Sequence, residues 1–415
     1  MKTESQSTTG RILCACAMVL AIVAIADTGA RAQGFSVVHN FTGQSDGGQP
    51  LSGLLAVGDG GGKPPTVFKR PGNLTFFGTA SSGGTFGYGL VFSMNASGSE
   101  TVLHNFAAGT DGANPHGVLI GDAAGNLYGT TTAGGATGAG TVFEVAGNTE
   151  TVLYSFAAGV DGAVPEAGLA MDAAGNLYGT TTAGGSSGNG TVFKLAPPKT
   201  KGAPWTESVL YSFGTGTDGA VPIAGVSLDA AGNLYGTASA GGAYGFGTVF
   251  QLTPGTPWTE TILHDFQNAT DGAIPYGGLI SDASGNFYGA TTEGGSNGGG
   301  GGTIFELTPS NGQWTFTTLY VLPGWGISGS FRSLLIDASG NLYGTTHCDG
   351  NDTAGTVYEL SPSGGTWKYK LLYTFTGGTD GLYSFGNLVL RSGTLYGTTF
   401  LGGSKDAGVV FRVTL

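Results

Sequence analysis

The chain has 415 residues, of which 81 are glycine, while its 15 basic and 27 acidic residues make up only 10% against about 25% in ordinary soluble domains. Its apolar content of 40% is too high for a disordered chain, and glycine does not recur at every third residue, which excludes collagen. The net charge is −12 and the few basic residues are scattered, so nucleic acid is not an expected partner.

Residues 1–32 read as a secretory signal. Lys2 and Arg11 form a basic start, Ile12 to Ala26 is an apolar run, and Ala30-Arg31-Ala32 supplies a small-x-small cleavage site. Removing the leader leaves 12 basic and 25 acidic residues, so the mature domain, 33–415, is expected to be exported and acidic. Cys14 and Cys16 leave with the leader, and the remaining Cys348 has no partner for an intramolecular disulfide. No apolar run of bilayer length follows, so no membrane span is expected.

Downstream, an aromatic-Gly landmark recurs at Gly78, Gly129, Gly179, Gly236, Gly289, Gly344 and Gly397, at intervals of 51, 50, 57, 53, 55 and 53 residues. Periods of this length belong to propeller blades. In the third copy the predicted strands are Gly168–Met171, Asn176–Thr180, Thr191–Leu195 and Ser208–Phe213. Asp172 caps the first turn and Gly175 is free to take positive φ there. The outermost strand recurs seven times, but its first copy, Val37–Phe41, precedes every other strand, and the last set ends without one. The N-terminal strand is therefore expected to pair with the C-terminal three, removing two free edges. The predicted fold is all-β: a seven-bladed β-propeller of four-stranded blades.

The pattern Asp-Gly-x-x-Pro, Gly-Asn-Leu-Tyr-Gly-Thr-Thr, Gly-Gly and Gly-Thr-Val-Phe-x-Leu, repeated over residues 35–415, resembles the GloVer tandem-repeat family of exported bacterial proteins. The resemblance implies a secreted or surface repeat protein and brings no catalytic residues with it. Members often carry a C-terminal sorting anchor; here Leu415 ends inside a strand, which favours release.

In a repeat protein, a residue that recurs at one register builds the blade. His39, His104 and His264 share a register with Tyr154, Tyr211, Tyr320 and Tyr373 and read as a packing position. Trp205, Trp258, Trp314 and Trp367 read as hairpin features, with sugar stacking as the alternative. The Asp-Gly pairs at Asp46, Asp111, Asp161, Asp218, Asp271 and Asp380 lack a calcium-loop pattern and read as turn caps. No metal or cofactor is expected.

The candidate site lies where the repeat breaks. Unit six replaces its Asp-Gly turn with Gly324-Trp325-Gly326, introduces Arg332, and carries His347-Cys348-Asp349 in place of the Gly-Gly loop. Unit five contributes Tyr276 and Glu293. A flat aromatic beside a guanidinium and carboxylates suits a sugar ring bearing an acidic substituent. Unit one has a long excursion, Gly58 to Gly72, with Lys63, Lys69 and Arg70, read as a solvated loop or a docking patch for an acidic partner. The favoured function is a binding module for an extracellular glycan or protein. The alternative is a polysaccharide lyase or hydrolase with His347 as acid/base and Arg332 neutralising a carboxylate. Binding is favoured because no usable acid/base pair is visible outside units five and six.

Overall fold

The computed structural model describes residues 34–58, 74–200, 202–295, 300–324, 333–349 and 354–415. The excursion of unit one, together with Trp325 and Arg332, lies outside them. Seven four-stranded antiparallel sheets follow one another along the chain and form a seven-bladed β-propeller. Blade 3 shows the plan: Ala170–Met171, Leu177–Thr181, Thr191–Ala196 and Thr206–Ser212 pair in that order, each within two residues of the sequence expectation. Blade 7 is built from Val389–Arg391, Thr394–Thr399 and Val409–Thr414, and its fourth strand is the N-terminal Phe35–Asn40. Val37 faces Phe411 across that pairing, and Ser36 faces Arg412. Among the described residues no helix is long and apolar enough to cross a membrane.

The recurrent glycine is explained by what it faces. A Cβ on Gly179 would stand 2.6 Å from Cζ of Phe193, and one on Gly129 would stand 2.5 Å from that of Phe143. The third-strand aromatic of each blade thus lies over the bare backbone of its own second strand. In six of the seven blades it then meets the phenylalanine that follows the fourth strand of the preceding blade edge to face, as in Phe156–Phe193 at 5.1 Å, Phe213–Phe250 at 5.2 Å and Phe375–Phe411 at 5.1 Å; before blade six that position is Leu322. All six of these rings are fully buried, so the joint between blades is a chain of interlocked rings.

Polar ties supplement it. Thr130, Thr180 and Thr398 donate to the carbonyls of Ala167, Ala224 and Ser52 in the next blade at 2.8–2.9 Å. The Asp-x-x-Gly-Asn turns behave as the residues predict. Asp172 accepts from the amides of Ala174 and Asn176, the Asn176 side chain and the Tyr178 hydroxyl, while Gly175 adopts φ 80°. Although burial opposes it, these donors hold the Asp172 carboxyl below its ordinary pKa.

Candidate functional site

Each fourth strand carries a β-bulge just before its His or Tyr, as between Val37 and His39 or Val152 and Tyr154. A bulge adds twist and re-aims the next side chain, onto the Asp of the following turn wherever that turn is Asp-Gly. Tyr154 donates to Asp161 at 3.0 Å, Tyr373 to Asp380 at 2.8 Å, and the His104 and His264 rings lie 3.1 Å from Asp111 and Asp271. The turn-cap expectation holds too, since the same carboxylates accept backbone amides, such as Ala157 to Asp161 and Gln267 to Asp271.

The sequence reading did not anticipate the third member of this group. Four residues before each His or Tyr stands a Glu in some blades and an aromatic in others, and it faces the His or Tyr of the preceding blade. Glu100 lies 3.2 Å from His39, and Glu260 accepts from Tyr211 at 2.9 Å. At the other junctions Phe316 stacks on His264 at 3.7 Å, Tyr369 on Tyr320 at 4.9 Å, and Phe35 on Tyr373 at 3.7 Å. The blade junctions therefore divide into an acidic arc and an aromatic arc.

In the acidic arc, burial and the neighbouring Asp charge push carboxyl groups far up. Glu150, hydrogen-bonded to Asp111, is raised to about 8, Glu207 beside Asp161 to about 7, and Glu260 beside Asp218 to about 8. At the Tyr211 junction one hydroxyl faces two carboxyl groups and can donate to only one at a time, so a proton kept on Glu260 relieves the conflict. Burial also opposes charge on His39, but Glu100, the Gly98 carbonyl and Asp46 outweigh it and raise its pKa. Perturbed carboxyl groups thus lie outside units five and six, contrary to the expectation. Their recurrence at one register marks them as part of the scaffold.

The loops between fourth and first strands and those between second and third strands pair within a blade, Ala163 with Ala183 and Ala273 with Glu293, so they share one face as expected. On the axis a cavity of about 50 Å³ is lined from all seven blades, with Ser52, His116, Tyr276, Ser333 and Asn387 among its walls. It has room for a few water molecules and none for a sugar ring. A Cβ on Gly117 would lie 2.4 Å from the Ala167 carbonyl oxygen, so close backbone approach keeps the channel narrow.

Of the candidate residues, Tyr276 faces this axis. Glu293 is half-buried in the adjoining loop, and burial raises its pKa. His347 is only 5% exposed and lies 4.3 Å from the rings of both Tyr383 and Phe385 in blade 7; burial lowers its pKa to about 3, so it is neutral. Asp349 points elsewhere: its charge acts on Tyr320 and Tyr369 at the junction of blades five and six. The four tryptophans are half-buried and pack against tyrosines of the preceding blade, as Trp205 on Tyr128 at 6.4 Å and Trp367 on Tyr288 at 6.3 Å, which agrees with a hairpin role.

The loop face does expose aromatic rings elsewhere. In the second–third-strand loops of blades one and four, Phe86 is 57% exposed, Tyr88 45% and Tyr244 56%. Sequence reasoning passed over them, although Thr-Phe-Gly-Tyr-Gly and Ala-Tyr-Gly-Phe-Gly are the only loops of this type with aromatics flanked by glycine.

Two stretches of the chain, residues 56–228 and 223–415, match the profile of the Gloeobacter/Verrucomicrobia repeat, and together they span nearly the whole propeller. The chain belongs to this family. The GloVer resemblance read from the motifs is the same assignment. Each stretch holds more than three blades, so the Gloeobacter/Verrucomicrobia unit is a run of blades and not one blade. No curated protein matches the chain. Among solved structures it is similar to a protein from Lactobacillus plantarum, at 15% identity and TM-score 0.53, over 81% of this chain and 90% of that one. It is also similar to a "putative 6-phosphogluconolactonase" from Bacteroides uniformis, at 15% identity and TM-score 0.50, over 78% and 88%. At such identity the likeness concerns the fold.

Proposed function

We propose that this protein is an exported binding module that holds an extracellular glycan against its loop face. The observation that carries the reading is the set of exposed rings, Phe86, Tyr88 and Tyr244, on loops that share one side of the propeller. Exposed aromatic rings on glycine-flanked loops are suited to stacking on the apolar faces of sugar rings. In this reading Tyr276 and Glu293 of unit five add polar contacts; His347 packs against blade 7 and Asp349 lies at the junction of blades five and six, while Trp325 and Arg332 lie outside the described residues. The narrow axial cavity fits a ligand that lies across the face and does not enter the channel. The lyase or hydrolase reading is weaker because its acid/base, His347, is shielded and neutral.

Affinity electrophoresis and calorimetry against a panel of neutral and acidic polysaccharides test this. Binding by the wild type should weaken at least tenfold in a variant combining Phe86→Ala, Tyr88→Ala and Tyr244→Ala, since each stacked ring contributes on the order of 1 kcal/mol. Undiminished binding in that variant refutes the aromatic platform. Release of new chain ends from the polysaccharide would establish the enzyme instead, and capture of a protein without glycan would establish a protein partner.

A further inference from the structure

We infer that the joint between the N-terminal strand and blade one is a binding site for a borderline divalent cation such as Zn²⁺, with His39, Asp46 and Glu100 as its ligands. Nδ1 of His39 lies 3.2 Å from the carbonyl oxygen of Gly98. A carbonyl only accepts, so this contact places a proton on Nδ1, and Nε2 is left to carry either a second proton or a metal ion between its two carboxylates. A backbone carbonyl in this position is the usual outer partner of a metal-binding histidine. Nε2 then faces Oε2 of Glu100 at 3.2 Å and Oδ2 of Asp46 at 4.0 Å, and the three donor atoms lie within 4.8 Å of one another.

A lone pair aimed at two carboxylates is repulsive unless something positive sits between them. The Glu100 side chain is only 7% exposed, and its Oε1 is buried without a hydrogen-bond partner, as is Nε2 of His39. A proton on Nε2 would serve one carboxylate oxygen and leave Oε1 orphaned. A cation takes Nε2, Asp46 and both oxygens of Glu100 together. Four-coordinate Zn²⁺ with ligands at about 2.1 Å requires separations near 3.4 Å between donors of different residues, so side-chain movements bring the 3.2 and 4.0 Å separations, and the third within 4.8 Å, to that value. Asp46 is already aimed, since the Thr42 amide at 3.0 Å and the Thr42 hydroxyl both donate to its carboxylate. The imidazole selects zinc-like ions over calcium.

The related group at the next junction, His104, Asp111 and Glu150, differs in one respect. There the ring nitrogen of His104 lies 3.1 Å from Asp111 of its own turn, whereas that of His39 lies 3.2 Å from Glu100 of the next blade and 4.0 Å from Asp46. At the first joint the cation would tie the N-terminal strand, which is paired with Val409–Thr414 of blade seven, to Glu100 on the outer strand of blade one.

The test uses tag-free mature protein stripped with chelator, titrated with Zn²⁺ by calorimetry and with Co²⁺ by visible absorption. One Zn²⁺ should bind per chain with micromolar or better affinity, raise the unfolding temperature by several degrees, and be displaced by chelator. The isosteric Glu100→Gln should weaken binding at least tenfold and remove the tetrahedral Co²⁺ bands, while Glu150→Gln leaves both intact. Folding of each variant is checked by circular dichroism. Should Glu100→Gln fail to fold, His39→Gln takes its place and the wild-type Co²⁺ spectrum stands as the independent readout. Absence of binding by the wild type, or binding that persists in Glu100→Gln, overturns the inference; in the first case a proton alone fills the joint.

Discussion

Replacing Gly179 by Ala isolates the steric relation on which the repeated blade is built. The backbone at Gly179 is not left-handed, so any penalty comes from the added methyl. That carbon would lie 2.6 Å from Cζ of Phe193, 2.9 Å from its Cε1 and 2.9 Å from Cδ2 of Leu169, where carbon atoms normally rest at about 3.5–4.0 Å. Phe193 must move by about 1 Å, yet it is fully buried and engaged with Phe156 of the preceding blade. Overpacking of this kind costs about 1–3 kcal/mol, offset by about 0.4–1 kcal/mol because Ala restricts the unfolded chain. The net expectation is a loss of about 1–2 kcal/mol, read as a lower midpoint in guanidinium with unchanged slope. Combining Gly179→Ala with Phe193→Leu, which shortens the clashing ring, should cost less than the two single changes added, with a coupling of about 1 kcal/mol. Additive single effects, or an unshifted Gly179→Ala midpoint, would refute this account of the recurrent glycine.

Two further expectations follow from the joints. Glu207 and Glu260 hold their protons up to about 7 and 8 in the folded state, against 4.5 ordinarily; the folded state binds more protons between pH 4.5 and 8, so stability should be highest at the acidic end and fall as pH rises through that window. Denaturation midpoints measured from pH 5 to 8.5 check this, and a Glu207→Gln, Glu260→Gln double variant should show a flatter profile. Deleting residues 34–41 should strip the Val409–Thr414 edge and remove fully buried Phe41, giving aggregation visible by light scattering; a monomer of unchanged unfolding temperature would contradict the role of that pairing.

The architecture was legible in the sequence because it rests on local, repeated chemistry. The Gly at each aromatic-Gly landmark, the Asp-x-x-Gly-Asn turns and the alternating strands recur within each unit, and counting fourth strands reveals the orphan at the N-terminus that completes blade seven. What lies between blades was not legible. Glu100 is 61 positions from His39, and in an aligned repeat it looks like one more strand residue; only the packing of consecutive blades sets it against the His of the blade before. The same applies to His347, whose departure from the repeat marks it in the sequence, while the rings that bury it, Tyr383 and Phe385, come from the next blade. Local propensity and period follow from neighbours along the chain and so can be read from it. Burial, protonation and the pairing of a histidine with two carboxylates depend on neighbours about fifty residues away, which only the tertiary structure brings together.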